Sequence, residues 1–282
     1  MENLKVIKNR IKTVDSIAKA TNAMKLVSTI KLAKMNNLKK HSSECADILS
    51  DMFLRAEKEI TFRQLFDEEQ WFQRKSGERL ILVISTDQGF CGPFNQLILK
   101  KSKEVIDKYQ GTYVEVFGKK ASCLKQRRAE ENISRSVSSR YNIEEFASML
   151  SQLTFKYIRD YSVSDVLVIS GECKGVAVQK AKCLQIFPVE KRDISDCEYT
   201  MIEGEKLEFM NAVFQMYLSK LFFGIVSEHL LSELSAKVMA MDNSVRNANG
   251  ISDKLGVLYN RIRQAKITQE LTEIVSSVEC MQ

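Results

Sequence analysis

Apolar residues recur at steps of three and four through both ends of the chain. Leu4, Ile7, Ile11, Val14, Ala18 and Thr21 alternate the two steps, and Met24, Ser28, Leu32, Met35 and Leu38 continue roughly along that line. This is the narrow seam of a coiled coil. Toward the other end Leu234, Val238, Met241, Val245 and Ala248 repeat the rule. Ile251, Leu255, Leu258, Ile262 and Ala265 resume it after one shortened step, a slip that overwinds a supercoil without ending the helix. Residues 1–76 contain neither glycine nor proline, and no proline follows Glu205, so nothing in either stretch breaks a helix. A first helix to about residue 58 spans roughly 85 Å and a second from about Glu205 roughly 100 Å at the helical rise. Stripes of that length are buried only by pairing with each other, with a partner, or both.

Between the helices the period shortens. Arg79 to Thr86 reads as a buried strand, and a glycine-bearing turn then leads into a helix from about Asn95 to Tyr109. Tyr113–Phe117 is a second strand, and Lys119 to Arg128 a short helix. Asn142 with Glu145 resembles a capping box, opening a helix to about Tyr161. Ser164 to Ser170 and Ala177 to Val189 are the last strands, the second turning back through Gly171–Gly175. Strands alternating with helices predict a doubly wound α/β sheet. The predicted fold is therefore α/β plus coiled coil: long N- and C-terminal helices form an antiparallel coiled coil around an inserted Rossmann-like α/β domain. The expected boundaries are 1–76, 77–200 and 201–282.

Composition changes this picture little. The chain has 282 residues, 44% hydrophobic and 28% charged, ordinary globular material with no run apolar enough for a membrane span. Seven cysteines show no CxxC spacing, which argues against zinc and against a secreted disulfide framework. The net charge of +6 is concentrated at the start, where the first 40 residues hold ten Lys or Arg against two acids. Such a helix is a solvated coiled-coil face, a surface for acidic proteins, or a nucleic-acid binder. The last is disfavoured because residues 1–52 contain no aromatic residue to stack on bases.

Candidate chemistry in the middle domain centres on Ser85-Thr-Asp-Gln-Gly-Phe-Cys-Gly-Pro-Phe-Asn95, a strand-to-helix turn of the kind that cradles phosphate. A Walker loop requires a lysine and a hydroxyl after its last glycine, and a dinucleotide fingerprint requires GxGxxG; Cys91 and Pro93 occupy the decisive places. Pro93 suits a first helical turn, so a tight packing turn is the simpler reading. Cys91 near a helix start would have a lowered pKa, but a nucleophile requires a base, and the only histidines are His41 and His229 on the long helices. Asp87 lacks an obvious second carboxylate, and Asp165, Glu172 and Asp193 read as loop or turn residues. Lys119, Lys120, Arg127 and Arg128 read as exposed charge. The expectation is no catalytic residue, no metal and no cofactor.

The C-terminal helix is different. Gln264, Thr268 and Glu270 fall in its seam region while Leu271, Ile274, Val275 and Val278 form an apolar end, a pattern suited to lying inside another protein. Four segments resemble one family, the gamma subunit of the rotary ATP synthase: Lys19-Ala-Thr-Asn-Ala-Met-Lys-Leu-Val27; Asp87-Gln-Gly-Phe-Cys-Gly92 with Asn95; Met239-Ala-Met241 with Asn247; and Tyr259-Asn-Arg-Ile-Arg-Gln-Ala-Lys-Ile-Thr-Gln-Glu-Leu-Thr-Glu-Ile274. They occur in the family's order and span the chain.

The resemblance implies a central rotor shaft inside a ring of three alpha and three beta subunits, with catalysis on those partners and no nucleic acid bound. Arg263 and Gln264 would meet a beta-subunit loop with Thr268 and Glu270 nearby. Met24 and Lys25 would lie near the lower beta subunits. Leu271, Ile274, Val275 and Val278 would turn in an apolar sleeve, and the middle domain with the lower helices would meet the epsilon subunit and the c-ring. Asn22, Lys237, Pro93 and Thr29-Ile30 depart from the family pattern, and the closely spaced cysteine pair of chloroplast forms is missing. Met1 leading directly into charged helix resembles a bacterial subunit, peripheral at the cytoplasmic face of the inner membrane; the matrix side of a mitochondrial inner membrane is the alternative. Two rival readings stay open: an α/β domain that binds a nucleotide or acts through Cys91, and a coiled-coil tether or basic nucleic-acid binder.

Overall fold

The computed structural model describes residues 4–59, 78–109, 112–124, 143–161, 163–173, 178–187 and 206–279, with side chains described outside 38–59, 206–211 and 278–279. The elements are α1 (Leu4–Glu59), β1 (Arg79–Ile84), α2 (Phe94–Lys108), β2 (Thr112–Phe117), a 3-10 helix (Lys119–Leu124), α3 (Ile143–Asp160), β3 (Asp165–Cys173), β4 (Gln179–Phe187) and α4 (Lys206–Glu279). The chain divides into two compact units, Met1–Thr29 with Val238–Gln282, and Ile30–Lys237.

In the unit 30–237 a four-stranded sheet runs in the order β2-β1-β3-β4. β1 pairs parallel with β2 and with β3, and β4 closes the edge antiparallel to β3. Because strand side chains alternate, the near-continuous apolar runs of β1 and β3 feed two cores at once. Leu80, Leu82, Ile84, Val166 and Val168 meet Phe146, Leu150 and Tyr157 of α3 and Leu218, Phe222 and Val226 of α4. Ile81, Val83, Val114, Val116 and Ile169 meet Phe94, Ile98 and Val105 of α2, with Ala236 of α4 at the margin. Tyr157 Oη donates to Glu115 Oε1 at 2.6 Å, which satisfies the one acid that β2 carries into this interior. The doubly wound expectation therefore describes the parallel part, and the antiparallel β4 makes the sheet mixed.

Several local readings change. Asp165 and Glu172 lie within β3, where Asp165 meets Arg79 Nε of β1 at 2.9 Å and Glu172 meets Lys182 Nζ of β4 at 3.1 Å. Cross-strand charge pairs explain why acids serve there. The short helix after β2 is a 3-10 turn ending at Leu124. Arg127, Arg128, Asn142, Pro188 and Asp193 lie outside the described residues, as does the side chain of His41.

The unit 1–29 with 238–282 consists of the first stretch of α1 and the last of α4. Ser252 Oγ donates to Asp15 Oδ1 at 2.8 Å, and Lys25 Nζ donates to Asp242 Oδ1 at 2.5 Å. A ten-residue advance on α1 matches a ten-residue retreat on α4, so the two stretches run antiparallel. Along α1 the partly or fully buried positions are Leu4, Ile7, Ile11, Val14, Ala18, Thr21, Lys25, Ser28, Leu32 and Met35, an unbroken alternation of three and four. Met24, expected on this line, is 53% exposed. On α4 the inward set includes Leu234, Val238, Met241, Val245, Ala248, Ser252, Leu255, Tyr259 and Ile262. Ile251 faces out and Ser252 takes its place, so the expected three-residue slip does not occur and the period stays regular. In both corrections a polar residue fills the inward position because it finds a polar partner on the other helix.

Candidate functional site

The turn after β1 sits where ligand crevices form in doubly wound sheets, at the carboxyl ends of two strands whose connections leave in opposite directions. Here the turn serves packing. Ser85 N–H donates to the Phe117 carbonyl at 2.8 Å, and Thr86 Oγ1 lies 2.7 Å from the Gln88 carbonyl oxygen and 2.9 Å from Asn95 Oδ1. Asn95 Nδ2 reaches Cys91 Sγ at 3.1 Å, and the Phe94 N–H at the start of α2 donates to the Cys91 carbonyl. The amide that would greet a phosphate is thus engaged within the turn. Gly118, at φ +95°, closes the arrangement from β2: a Cβ there would stand 2.3 Å from the Ser85 carbonyl oxygen.

α4 covers the carboxyl end of β3. A Cβ on Gly171 would meet the Phe94 ring at 2.4 Å and Ser232 Cβ at 3.3 Å, and the Gly171 N–H donates to His229 Nδ1 at 3.1 Å. Glu233 is 2% exposed and pairs with Lys237 one turn on. Burial pushes the Cys91 thiol above its ordinary pKa, and the Glu233 charge adds to that. A thiol held protonated in this way is inert, the opposite of the lowered pKa a helix start would give. His229 faces Phe94 and Gly171, and burial lowers its pKa to about 3, so it stays neutral. Ser85, Thr86, Cys91, Phe94 and His229 are thus buried and engaged with one another or with their neighbours in the protein's own interior. Among the described residues no group of three or more His, Cys, Asp or Glu could hold a metal, and no helix is long and apolar enough to cross a membrane.

The exposed chemistry lies elsewhere, on the ends of the long helices. Residue pairs 15 with 252 and 25 with 242 place Leu4 level with about residue 263 on α4. α4 therefore continues past Leu4 for its residues 264–279, roughly 24 Å at the helical rise. Every described side chain from Arg263 to Ser277 is exposed. Arg263, Gln264, Thr268 and Glu270 come first. Thr268 Oγ1 donates to the Gln264 carbonyl at 3.0 Å and Glu270 lies 3.6 Å from Lys266 Nζ, local contacts that leave the helix surface open. Ile267, Leu271, Ile274 and Val275, 48 to 59% exposed, then form an apolar strip; the side chain of Val278 lies outside the described residues.

The structure does not bring Met24 and Lys25 to this end. They stand level with about residue 243, some 20 residues or roughly 30 Å along the helix. Met24 is exposed among Leu26, Val27 and Ile30, 53 to 70% exposed, an apolar patch that lies off the inward line. Lys25 turns inward to Asp242, which also binds Arg246 Nη2 at 2.6 Å. Asp242, Arg246, Asp15 and Ser252 were likewise missed; an unbroken period on α4 signals Ser252, whereas Asp15, Asp242 and Arg246 lie beside the inward lines and only the paired helices reveal them.

A family model described as ATP synthase matches residues 3–281. The ATP synthase gamma chain of Maricaulis maris is 30% identical over 296 residues, and that of Campylobacter jejuni subsp. doylei 29% over 295, each alignment covering 100% of both chains. The chain belongs to the ATP synthase gamma-chain family. Fold likeness agrees with the family: a chain of the Euglena gracilis mitochondrial ATP synthase, solved as its OSCP/F1/c-ring assembly, superposes with TM-score 0.64 at 15% identity, covering 99% of this chain and 94% of that one.

Proposed function

We propose that the chain is the central rotor shaft of a proton-translocating ATP synthase, a non-catalytic subunit coupling rotation of a membrane c-ring to conformational cycling of catalytic alpha and beta subunits. The observation that carries this reading is the match to gamma chains along the whole length. The exposed end of α4 supports it, because an amphipathic helix of that length is left bare for a partner that surrounds it. Three alpha and three beta subunits would enclose the shaft, with ATP made or hydrolysed on beta, and the epsilon subunit and c-ring would bind lower down.

α1 and α4 act as an antiparallel coiled coil around the α/β domain, organised as 1–76, 77–200 and 201–282. The regular period and the two polar pairs across the helices support this. Arg263, Gln264, Thr268 and Glu270 contact a beta-subunit loop, Met24 and Lys25 lie near the lower beta subunits, and Leu271, Ile274, Val275 and Val278 form the bearing tip. One asymmetric helix pair cannot present the same face to three identical subunits. Each catalytic site is therefore held in a different state, and turning the shaft exchanges the three. The coupling is the difference in contact free energy between orientations. The complex is peripheral to a membrane, at the cytoplasmic face of a bacterial inner membrane, with the matrix side of a mitochondrial inner membrane as the alternative.

The test is ATP hydrolysis by alpha and beta subunits of the same source, assembled with the full chain or with one ending at Tyr259. The reading expects strong stimulation by the full chain and altered assembly or turnover on truncation. A chain that neither joins nor stimulates those subunits would remove it.

A further inference from the structure

Where α4 crosses the carboxyl ends of β1 and β3, its buried face is unusually polar. His229, Ser232 and Glu233 are 0, 0 and 2% exposed, and spacings of three and four put them on one strip of the helix. His229 Nδ1 accepts the Gly171 N–H, so in the neutral ring the proton sits on Nε2, which must find an acceptor. Lys237 Nζ donates to Glu233 Oε1, which leaves Oε2 over. Among the described residues His229 Nε2, Ser232 Oγ and Glu233 Oε2 are buried without a hydrogen-bond partner. His229 and Ser232 share surroundings, since the Phe94 ring lies 5.5 Å from the His229 ring and a Cβ on Gly171 would meet both the Phe94 ring and Ser232 Cβ; Glu233 follows one helical turn after His229, on the same strip.

Unmet donors and acceptors do not persist together in a dry interior. We infer that the strip encloses ordered water, which accepts from His229 Nε2–H, donates to Glu233 Oε2 and exchanges a bond with Ser232 Oγ. The chemistry selects water over an ion. A cation would face the His229 N–H and find the Glu233 charge already balanced by Lys237, while an anion would face Glu233. Water alone both accepts and donates at one point, and enclosed water with about three partners is the common solution for such clusters. The site lies on α4 within the unit 30–237, where the helix rests on water-bridged contacts as well as on packed ones.

The chain has only two histidines, so the full protein can be labelled with 15N-histidine, with His41→Gln assigning the remaining ring. The expected spectrum shows His229 as the neutral Nε2–H tautomer from about pH 5 to 8, across the range in which a free histidine side chain titrates. A cross-peak from Hε2 to a long-lived water is expected as well, unchanged when sodium replaces potassium. The Nδ1–H tautomer, a ring titrating at its ordinary pKa, a missing water cross-peak, or a shift that follows the cation would each overturn the assignment.

Discussion

Lowering the pH from 8 to 5 should weaken the unit 30–237 through His229 alone by about 2 kcal/mol. Burial lowers the histidine's pKa from 6.5 to about 3. Its folded form therefore takes up essentially no proton above pH 4, while the unfolded chain titrates normally. The unfolded state binds more protons below pH 6.5, so stability falls as pH falls, by about 1.4 kcal/mol per unit once the unfolded ring is mostly charged. At pH 5 the unfolded ring is protonated roughly thirtyfold over neutral, equivalent to about 2 kcal/mol. Glu233 works in the opposite sense. Burial raises its pKa, so the folded state keeps a proton that the unfolded state loses, and the benefit is largest at low pH and lost as pH rises through the folded value. A single pH series mixes the two. Comparison with His229→Gln, whose side-chain oxygen can still accept the Gly171 N–H, isolates the histidine. Urea unfolding followed by near-ultraviolet dichroism of the buried tyrosines at pH 8, 6.5 and 5 should give curves for the two proteins that converge by about 2 kcal/mol on going from pH 8 to 5. Parallel curves would show that the ring is not held neutral, and the reasoning from burial would be wrong.

Gly118→Ala must place a Cβ 2.3 Å from a carbonyl oxygen at φ +95°, and should lose about 3 kcal/mol or more of urea stability; near-wild-type stability would refute the steric argument. Phe222→Ala, at a fully buried site, should cost about 3–5 kcal/mol, whereas Val257→Ala, 72% exposed, should stay within about 0.5 kcal/mol. Lys25→Glu should lower the melting temperature by opposing Asp242, and adding Asp242→Lys should restore part of it, less than all because Arg246 then faces a like charge; no rescue would mean that the pair is incidental. In an assembled complex, Arg263→Ala and Gln264→Ala should lower ATP turnover several-fold with little effect on the stability of the isolated chain, since both side chains are exposed; unchanged turnover would remove them from the proposed contact.

Much of the fold was legible. Two long stretches free of proline, the first free of glycine as well, gave the chain no strong helix breaker, and α1 ends at Glu59 and α4 begins at Lys206, each within a residue of where the pattern places it. The strands were legible because residues such as Leu80–Ile84 are apolar on both faces, as a sheet covered on both sides requires. Asp165 and Glu172 were misread because their partners, Arg79 and Lys182, are far away in sequence. The packing role of the β1 turn was legible from Pro93, but its cover was not: that α4 brings His229, Ser232 and Glu233 across the end of the sheet depends on tertiary packing that no local spacing encodes.

The two slips in the seam carry the clearest lesson. At positions 24–25 and 251–252 the pattern offered an apolar residue beside a polar one, and hydrophobicity favoured Met24 and Ile251. The helix obeys geometry instead: a heptad continued without interruption demands positions 25 and 252, and the polar residues there are accommodated because Asp242 and Asp15 lie opposite. Met24 and Ile251, turned outward at 53% and 49% exposure, are thereby released for other surfaces. The inward line is correspondingly thin, with Ala18, Thr21, Lys25, Ser28, Ala248 and Ser252 on it, and small or polar residues bury little apolar area. A helix pair held this way gains register from its polar contacts more than adhesion from its core. That suits a shaft whose adhesion is supplied by what surrounds it, and it places the apolar side chains of α1 at 24–30 and of α4 at 267–275 on the outside, where a partner can use them.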